Sequence, residues 1–223
     1  MVATIAPSVA IPAPAGETQR VSLPNEQAVL AAALMQSRQT ILPKRLVAPG
    51  PDTEQLEQIL GAAASAPDHG QVLPWRFILV PEDARARLAQ VFANALLERD
   101  ASATPAQVAQ AREKAHRSPL LMLVVVDAQC GNPDIDLFER IVSAGCAIQN
   151  VLLMATALGF GSALTSGKAL KAQGLRALFA LASGDHALCF ISVGTVLAAR
   201  PVRLRPLTDA YVHTLSVDAS DGG

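Results

Sequence analysis

The stretch APDHGQVLPWRF, from Ala66 to Phe77, decides how this chain is read. It packs a proline stop, a histidine, a glycine and the chain's only tryptophan into one connection between a helical pattern and an apolar run. A plain helix-to-strand turn needs a glycine or a proline and little else. The surplus of polar groups at Asp68, His69 and Gln71, set just before Pro74 and Trp75, marks a loop that holds something.

Upstream, Asp52 and Gln55 have capping-box spacing, and Leu56, Ile59, Leu60 and Ala63 form one helical face ending before Pro67. An earlier helix is expected from Glu26 to about Gln36, with Asn25 as its N-cap and Val29, Leu30, Ala33 and Leu34 on one face. Downstream, RFILV reads as a buried strand over Arg76 to Val80, followed by a helix from Glu82 to Arg99. Thr104 caps a further polar helix with Pro105 at its first position. LLMLVVVD is the clearest core strand. DLFERIVSAGCAIQNVLLMATALGF reads as a long helix, apolar on most faces in its second half and ended by Gly159. A short strand at SAL, a helix at KALKAQGLRALFA and a strand at ALCFISVGTV complete the pattern. Interleaved strands and helices, with helix in excess, predict one α+β domain around a central sheet.

Composition narrows the function classes. The net charge is -1 over 223 residues, which does not suit a nucleic-acid binder. Cys130, Cys146 and Cys189 are odd in number and widely spaced, so neither a disulfide framework nor a zinc site is expected, and a reducing cytoplasm fits best. No membrane span is expected, because polar residues break every apolar run. Residues 1–24 form an Ala/Pro-rich extension expected to be flexible, residues 25–214 the domain, and residues 215–223 a flexible tail. There is no GxxxxGK[ST] loop and no GxSxG elbow, and GFGSAL is a partial glycine motif that follows a helix rather than a strand. His69, His116, His186 and His213 lack paired ligand spacing, so no metal is expected.

Five pieces remain. They are the polar, basic SRQT at Ser37 to Thr40, the opening stretch, the small-residue run SAGCAIQN, the helix exit GFGSALTSG and the alternating Arg203 and Arg205. Their order resembles the FMN-dependent nitroreductase family, over about Asn25 to Thr214. Ser37-Arg38-Gln39 stands where the family has an Arg-Arg-Ser-like triplet. APDHGQVLPWRF stands where the family has A-P-S-x-x-N-x-Q-P-W-x-F, and its APDHG form resembles the compact, YdjA-like branch. Gly145, Ala147, Gln149 and Asn150 match G-x-A-x-Q-N, Ala157 to Ser162 match A-L-G-x-G-S, and Gly194-Thr195 match a Gly-Thr strand end.

The resemblance implies a nitroreductase-like fold with a central mixed sheet flanked by helices, in an intertwined homodimer. It implies FMN held between subunits, NADH or NADPH as electron donor, and a small nitroaromatic, quinone or similar acceptor reduced in ping-pong order. Ser37, Arg38 and Gln39 are then expected at the ribityl phosphate, with Arg203 and Arg205 as further phosphate ligands. Asp68, His69 and Gln71 are expected near the partner subunit's flavin, and Leu164, Thr165 and Ser166 along its other side. No catalytic side chain is expected, because the flavin carries the chemistry. Two departures stand out: Ser37 replaces an arginine, and Leu164-Thr165-Ser166 replaces the branch's Trp-Arg-Ser run. A lost charge-assisted bond is worth roughly 1–3 kcal/mol. A flavin binder of the same fold without turnover, and another flavin chemistry such as dehydrogenation or reductive dehalogenation, stay open as alternatives.

Overall fold

The computed structural model of the chain describes residues 5–7, 25–198 and 204–215. In chain order the elements are β1 (Ile5–Pro7), α1 (Glu26–Ser37), β2 (Leu46–Val47), α2 (Thr53–Gly61), β3 (Trp75–Leu79), α3 (Glu82–Arg99), α4 (Pro105–Glu113), β4 (Leu120–Asp127), α5 (Leu137–Ala157), β5 (Gly161–Thr165), α6 (Gln173–Leu178), β6 (Asp185–Val196) and β7 (His213–Leu215).

Capping chemistry sets most of the helix starts. The Asn25 side chain accepts from Gln27 N, and reciprocal capping boxes form at Asp52/Gln55, Thr104/Gln107 and Asp136/Glu139. Each satisfies amides that the first helical turn leaves without partners. Gly159 takes φ +84 just past α5, and Phe160 N closes back on Ala155 O at 2.9 Å.

The sheet runs β2-β6-β4-β3, with β5 also paired to β6. Every strand pair is antiparallel, and a single parallel bridge between Thr40 and Ser162 makes the sheet mixed. Alternation along β4 sorts the core into two layers. Met122, Val124 and Val126 face one cluster with Ile59 of α2 and Ala144, Ala147, Val151 and Ala155 of α5. Leu121, Leu123 and Val125 face the other, with Leu88 of α3, Leu175 of α6 and Phe190 of β6. The expected α+β domain with helices on both faces is therefore what the chain builds.

Several local expectations are corrected. KALKAQGLRALFA is not one helix: Lys168–Lys171 form a 3-10 turn, and Ala172 is extended at ψ 139 before α6 begins. α1 buries none of its residues within the protomer, and Val29, Leu30 and Met35 of its apolar face lie exposed. α5 is long and apolar enough, by length and composition, to cross a membrane, although it carries eight buried residues packed in the protein core. Its outer stripe of Phe138, Val142, Gly145 and Gln149 is exposed. Within the N-terminal extension, β1 pairs antiparallel with β7.

Two arginines are buried against backbone. Arg85 donates to the carbonyls of Val80, Ala115, Ser118 and Pro119 at 2.8–3.1 Å. Arg140 donates to Ile135, Cys130 and Asn132 at 3.0, 2.6 and 2.7 Å, pinning the loop that leads into α5. The carbonyls replace water around each guanidinium.

Candidate functional site

The turn from Ala66 to Trp75 is fixed at both ends. Pro74 and Trp75 are buried, and Asp127 N donates to Pro74 O at 2.8 Å. Between them, Gly70, Gln71 and Leu73 all have positive φ, at 70°, 52° and 48°. Glycine takes that region freely, while Gln71 and Leu73 carry strain there of order 1–3 kcal/mol each. Asp68 Oδ2 accepts from Leu73 N at 2.7 Å and holds the tight path, while its Oδ1 is buried without a hydrogen-bond partner. A Cβ on Gly70 would meet only the tip of Ile135, at 2.8 Å from Cδ1, so it is the backbone angle that favours glycine there.

His69 does not bond within its own turn. Its Nδ1 lies 2.7 Å from Glu139 Oε2 in the first turn of α5, and that hydrogen bond lowers the Glu139 carboxyl below its usual range. Gln71 is exposed.

The basic segment lies elsewhere. Ser37 Oγ donates to Leu34 O at 2.8 Å, so this hydroxyl closes α1. Arg38 is the C-cap residue, and Gln39 follows it half-buried. Thr40 bridges to Ser162, and Ile41 N donates to Ser162 O at 2.9 Å. Arg205 Nη2 donates to Arg38 O at 2.8 Å, which brings the C-terminal segment onto the same loop. Arg203 lies outside the described residues.

Leu164, Thr165 and Ser166 are exposed at the end of β5. Thr165 and Ser166 line a cavity of about 630 Å³ together with Leu42 and Pro43, which follow the basic segment. Its far wall is built by α3, α4 and the residues after them. Phe92, Leu96, Leu121 and Phe190 give it apolar surface, and Arg99, Lys114, Arg117 and Lys168 give it charge. Arg117 carries a buried Nε without a hydrogen-bond partner. The volume falls in the usual range for small-molecule and cofactor pockets. Sequence spacing gave no hint of this wall, because its cations are scattered among helix residues that read as solvated faces. Thr40, the last residue of the SRQT segment, is held against the start of β5 by its bridge to Ser162. Among the described residues, no group of three His, Cys, Asp or Glu side chains is placed to hold a metal.

One protomer therefore brings Arg205 onto Arg38, and sets Thr165 and Ser166 beside Leu42 and Pro43, which follow the same basic segment. It does not bring Asp68, His69 and Gln71 there. The turn sits at the N-terminal end of α5, and Ser162 with its partners Thr40 and Ile41 follows the C-terminal end. The 21 residues of α5 separate these ends by about 30 Å at 1.5 Å per residue.

An antiparallel sheet between a long core helix and a second helical layer, with a cavity opening beside a basic loop, defines the architectural class. Within it, the chain belongs to the nitroreductase family of oxidoreductases: a model of that family matches residues 35–195. A Haemophilus influenzae protein provisionally named an NAD(P)H nitroreductase is 34% identical over 152 residues, covering 68% of this chain and 82% of that protein. The Escherichia coli K12 protein YdjA, provisionally named in the same way, is 34% identical over 155 residues, covering 68% and 81%. Among solved structures, a nitroreductase-like family protein from Bacillus cereus superposes with a TM-score of 0.71 at 16% identity, covering 91% of this chain and 100% of that one. The NADPH:FMN oxidoreductase of Vibrio harveyi, solved with NAD+, superposes with a TM-score of 0.64 at 18% identity, covering 85% and 79%. The YdjA-like resemblance read from the sequence agrees with the relatives at 34%.

Proposed function

We propose that the chain is an FMN-dependent oxidoreductase that takes electrons from NADH or NADPH and passes them to a small aromatic acceptor, working in the cytoplasm as a homodimer with a flavin cleft at each end of a shared interface. When bound, FMN supplies two-electron chemistry, accepting hydride from the nicotinamide and reducing the second substrate in ping-pong order. The chain's residues bind, orient and exclude water.

The donor set fits FMN. Arg38 and Arg205 offer forked guanidinium groups suited to a terminal phosphate, with Arg203 as a third candidate. Because Ser37 Oγ is committed to α1, the triplet is better matched as Arg38-Gln39-Thr40, with Thr40 supplying the hydroxyl and Gln39 standing at the second arginine. Thr165 and Ser166 border the cavity for the ring, and the Arg117 Nε without a partner suits a buried acceptor there. Leu164, exposed beside them, offers apolar contact.

The observation that carries the reading is the separation of the two half-sites along α5. A two-fold axis crossing α5 near its midpoint sets two such helices antiparallel. Asp68, His69 and Gln71 of the partner subunit then approach the end that carries Arg38, Thr165 and Ser166. The exposed stripe of Phe138, Val142, Gly145 and Gln149 and the unburied apolar face of α1 supply surface for that contact. An obligate interface of this kind buries more than about 2,000 Å² in total.

The test is direct. Purified protein is expected to be yellow, to release FMN rather than FAD on heating, to bleach with NADPH or NADH under anaerobic conditions, and to sediment near twice the chain mass. A colourless protein that takes up no added FMN, or a monomer that holds FMN and turns over, overturns the reading.

A further inference from the structure

The cavity wall holds more positive charge than a flavin ring needs. Arg99, Lys114, Arg117 and Lys168 line it, and no aspartate or glutamate does. Arg117 is partly balanced by Glu113 at 3.4 Å and Arg99 by the charge of the neighbouring Asp100, but among the described residues Lys114 and Lys168 have no ion-pair partner. Arg38 and Arg205, the phosphate candidates, do not belong to this wall. An oxidised isoalloxazine is neutral and gains at most one negative charge on reduction, so one nearby cation suffices for it.

The same cavity presents aromatic and aliphatic surface. Phe92 and Phe190 pack edge-to-face with ring centroids 5.6 Å apart, and Leu96 and Leu121 join them on the wall. Apolar walls with unmatched cations select a ligand that is a flat hydrocarbon at one end and an anion at the other. Arg99, Lys114 and Lys168 are solvent-exposed around the apolar surface, so they act as a cationic rim that draws an anion to the mouth and orients it there.

We propose that the electron acceptor is an aromatic anion, a ring bearing a carboxylate or sulfonate beside its reducible group, with its charge held by Lys114, Lys168 and Arg99. This rests on the flavin reading above and names the substrate class of the same site. For a nitro acceptor the balance is one aromatic nitro group, one NAD(P)H and one proton giving the nitroso compound, NAD(P)+ and water. One N–O bond breaks, two electrons pass from the nicotinamide to nitrogen, and the departing oxygen leaves with two protons. The anionic group takes no part in that exchange and serves only to hold and orient the ring. The donor's pyrophosphate lies one ribose from its reacting ring, so the experiment reads reduction by NAD(P)H separately from the acceptor step.

The experiment compares para-nitrobenzoate with its methyl ester, which share ring and nitro group and differ in charge. With flavin-loaded dimer at saturating NAD(P)H, kcat/KM for the carboxylate is expected to exceed that for the ester by about tenfold or more. The double variant Lys114→Gln/Lys168→Gln is expected to bring that ratio close to one, through the oxidative half-reaction measured by stopped flow. Calorimetric binding of the two compounds to the oxidised protein, without donor and hence without turnover, is expected to show the same preference and the same loss of it. Equal kcat/KM and equal binding for the two acceptors in a flavin-loaded, NAD(P)H-reducible protein overturn the acceptor proposal and leave the flavin reading intact. So does a double variant that slows only reduction by NAD(P)H. Protein that takes up no FMN overturns the flavin reading and, with it, the acceptor role of the cavity.

Discussion

Gly145 provides a test that separates protomer folding from assembly. It lies near the middle of α5 on the exposed stripe, and a Cβ built there meets nothing within 4 Å. Within one protomer, Gly145→Leu is therefore expected to be stabilising, by about 1 kcal/mol from helix propensity. In the proposed dimer the same change is expected to be costly. Helices that cross at glycine approach to about 8 Å, and a leucine at the crossing pushes that toward 10 Å. Overpacking costs typically about 1–3 kcal/mol per site, and a two-fold axis makes two sites, so the interface loses about 2–6 kcal/mol. That weakens dimerisation roughly thirtyfold at the low end and more than ten-thousandfold at the high end. Sedimentation velocity across a dilution series, paired with FMN titration and far-UV circular dichroism, reads all three consequences. A helical monomer with normal or raised thermal stability and lost FMN affinity is expected. A variant that remains a tight, flavin-loaded dimer refutes the antiparallel placement of α5 and the shared cleft built on it.

Arg38→Ala is expected to weaken FMN binding at least about tenfold, the value of one charge-assisted bond, whereas His116→Ala, in the 3-10 turn that follows α4, changes it little; equal affinities would misplace the phosphate site. Arg140→Ala should cost about 3–5 kcal/mol in urea unfolding, because it strands the carbonyls of Ile135, Cys130 and Asn132, and a loss below about 1 kcal/mol would show that water replaces the guanidinium freely. Asp185 receives Arg76 on both oxygens, at 2.9 and 2.5 Å, and that hydrogen bonding holds its carboxyl below the usual range. A depressed folded-state pKa means stability that is present above the ordinary value of about 3.9 and lost as pH falls below it. Asp185→Asn should therefore lower stability at neutral pH and flatten its fall between about pH 4 and 2; an unchanged acid limb would refute the coupling.

What the sequence disclosed follows from how local each signal is. Helix starts at Glu26, Thr53 and Pro105 were legible because Asn25, Asp52 and Thr104 announce themselves within three residues. β2 was not legible, since its two residues are a strand only through pairing with Thr195 and Val196. The break at Ala172 has only Gly174, two residues on, as a marker, and a lone glycine inside a helical pattern does not show where the chain turns extended. The glycine at 70 marked a turn, but that Gly70, Gln71 and Leu73 all take positive φ was not legible, because the anchored Pro74 and the Asp68 carboxylate impose it. The burial of Arg85 and Arg140 was not legible, because a helix pattern does not reveal which carbonyls a distant loop will leave open. In the site, the triplet and the turn were found as motifs. The placement of Thr40 against Ser162 and the basic wall of the cavity needed the third dimension.

The position of β6 shapes how this chain must be made. It is the central strand, pairing with β4, β5 and the far earlier β2, yet it is nearly the last core element to leave the ribosome. Until residue 196 has emerged, β4 lacks one neighbour and β5 its partner, and the apolar length of α5 has only part of its floor. Synthesis at about 5–20 residues per second leaves α5 in that condition for seconds. The nascent chain is thus a client for holding factors over that interval, and truncations ending between α5 and β6 should aggregate where the full chain does not.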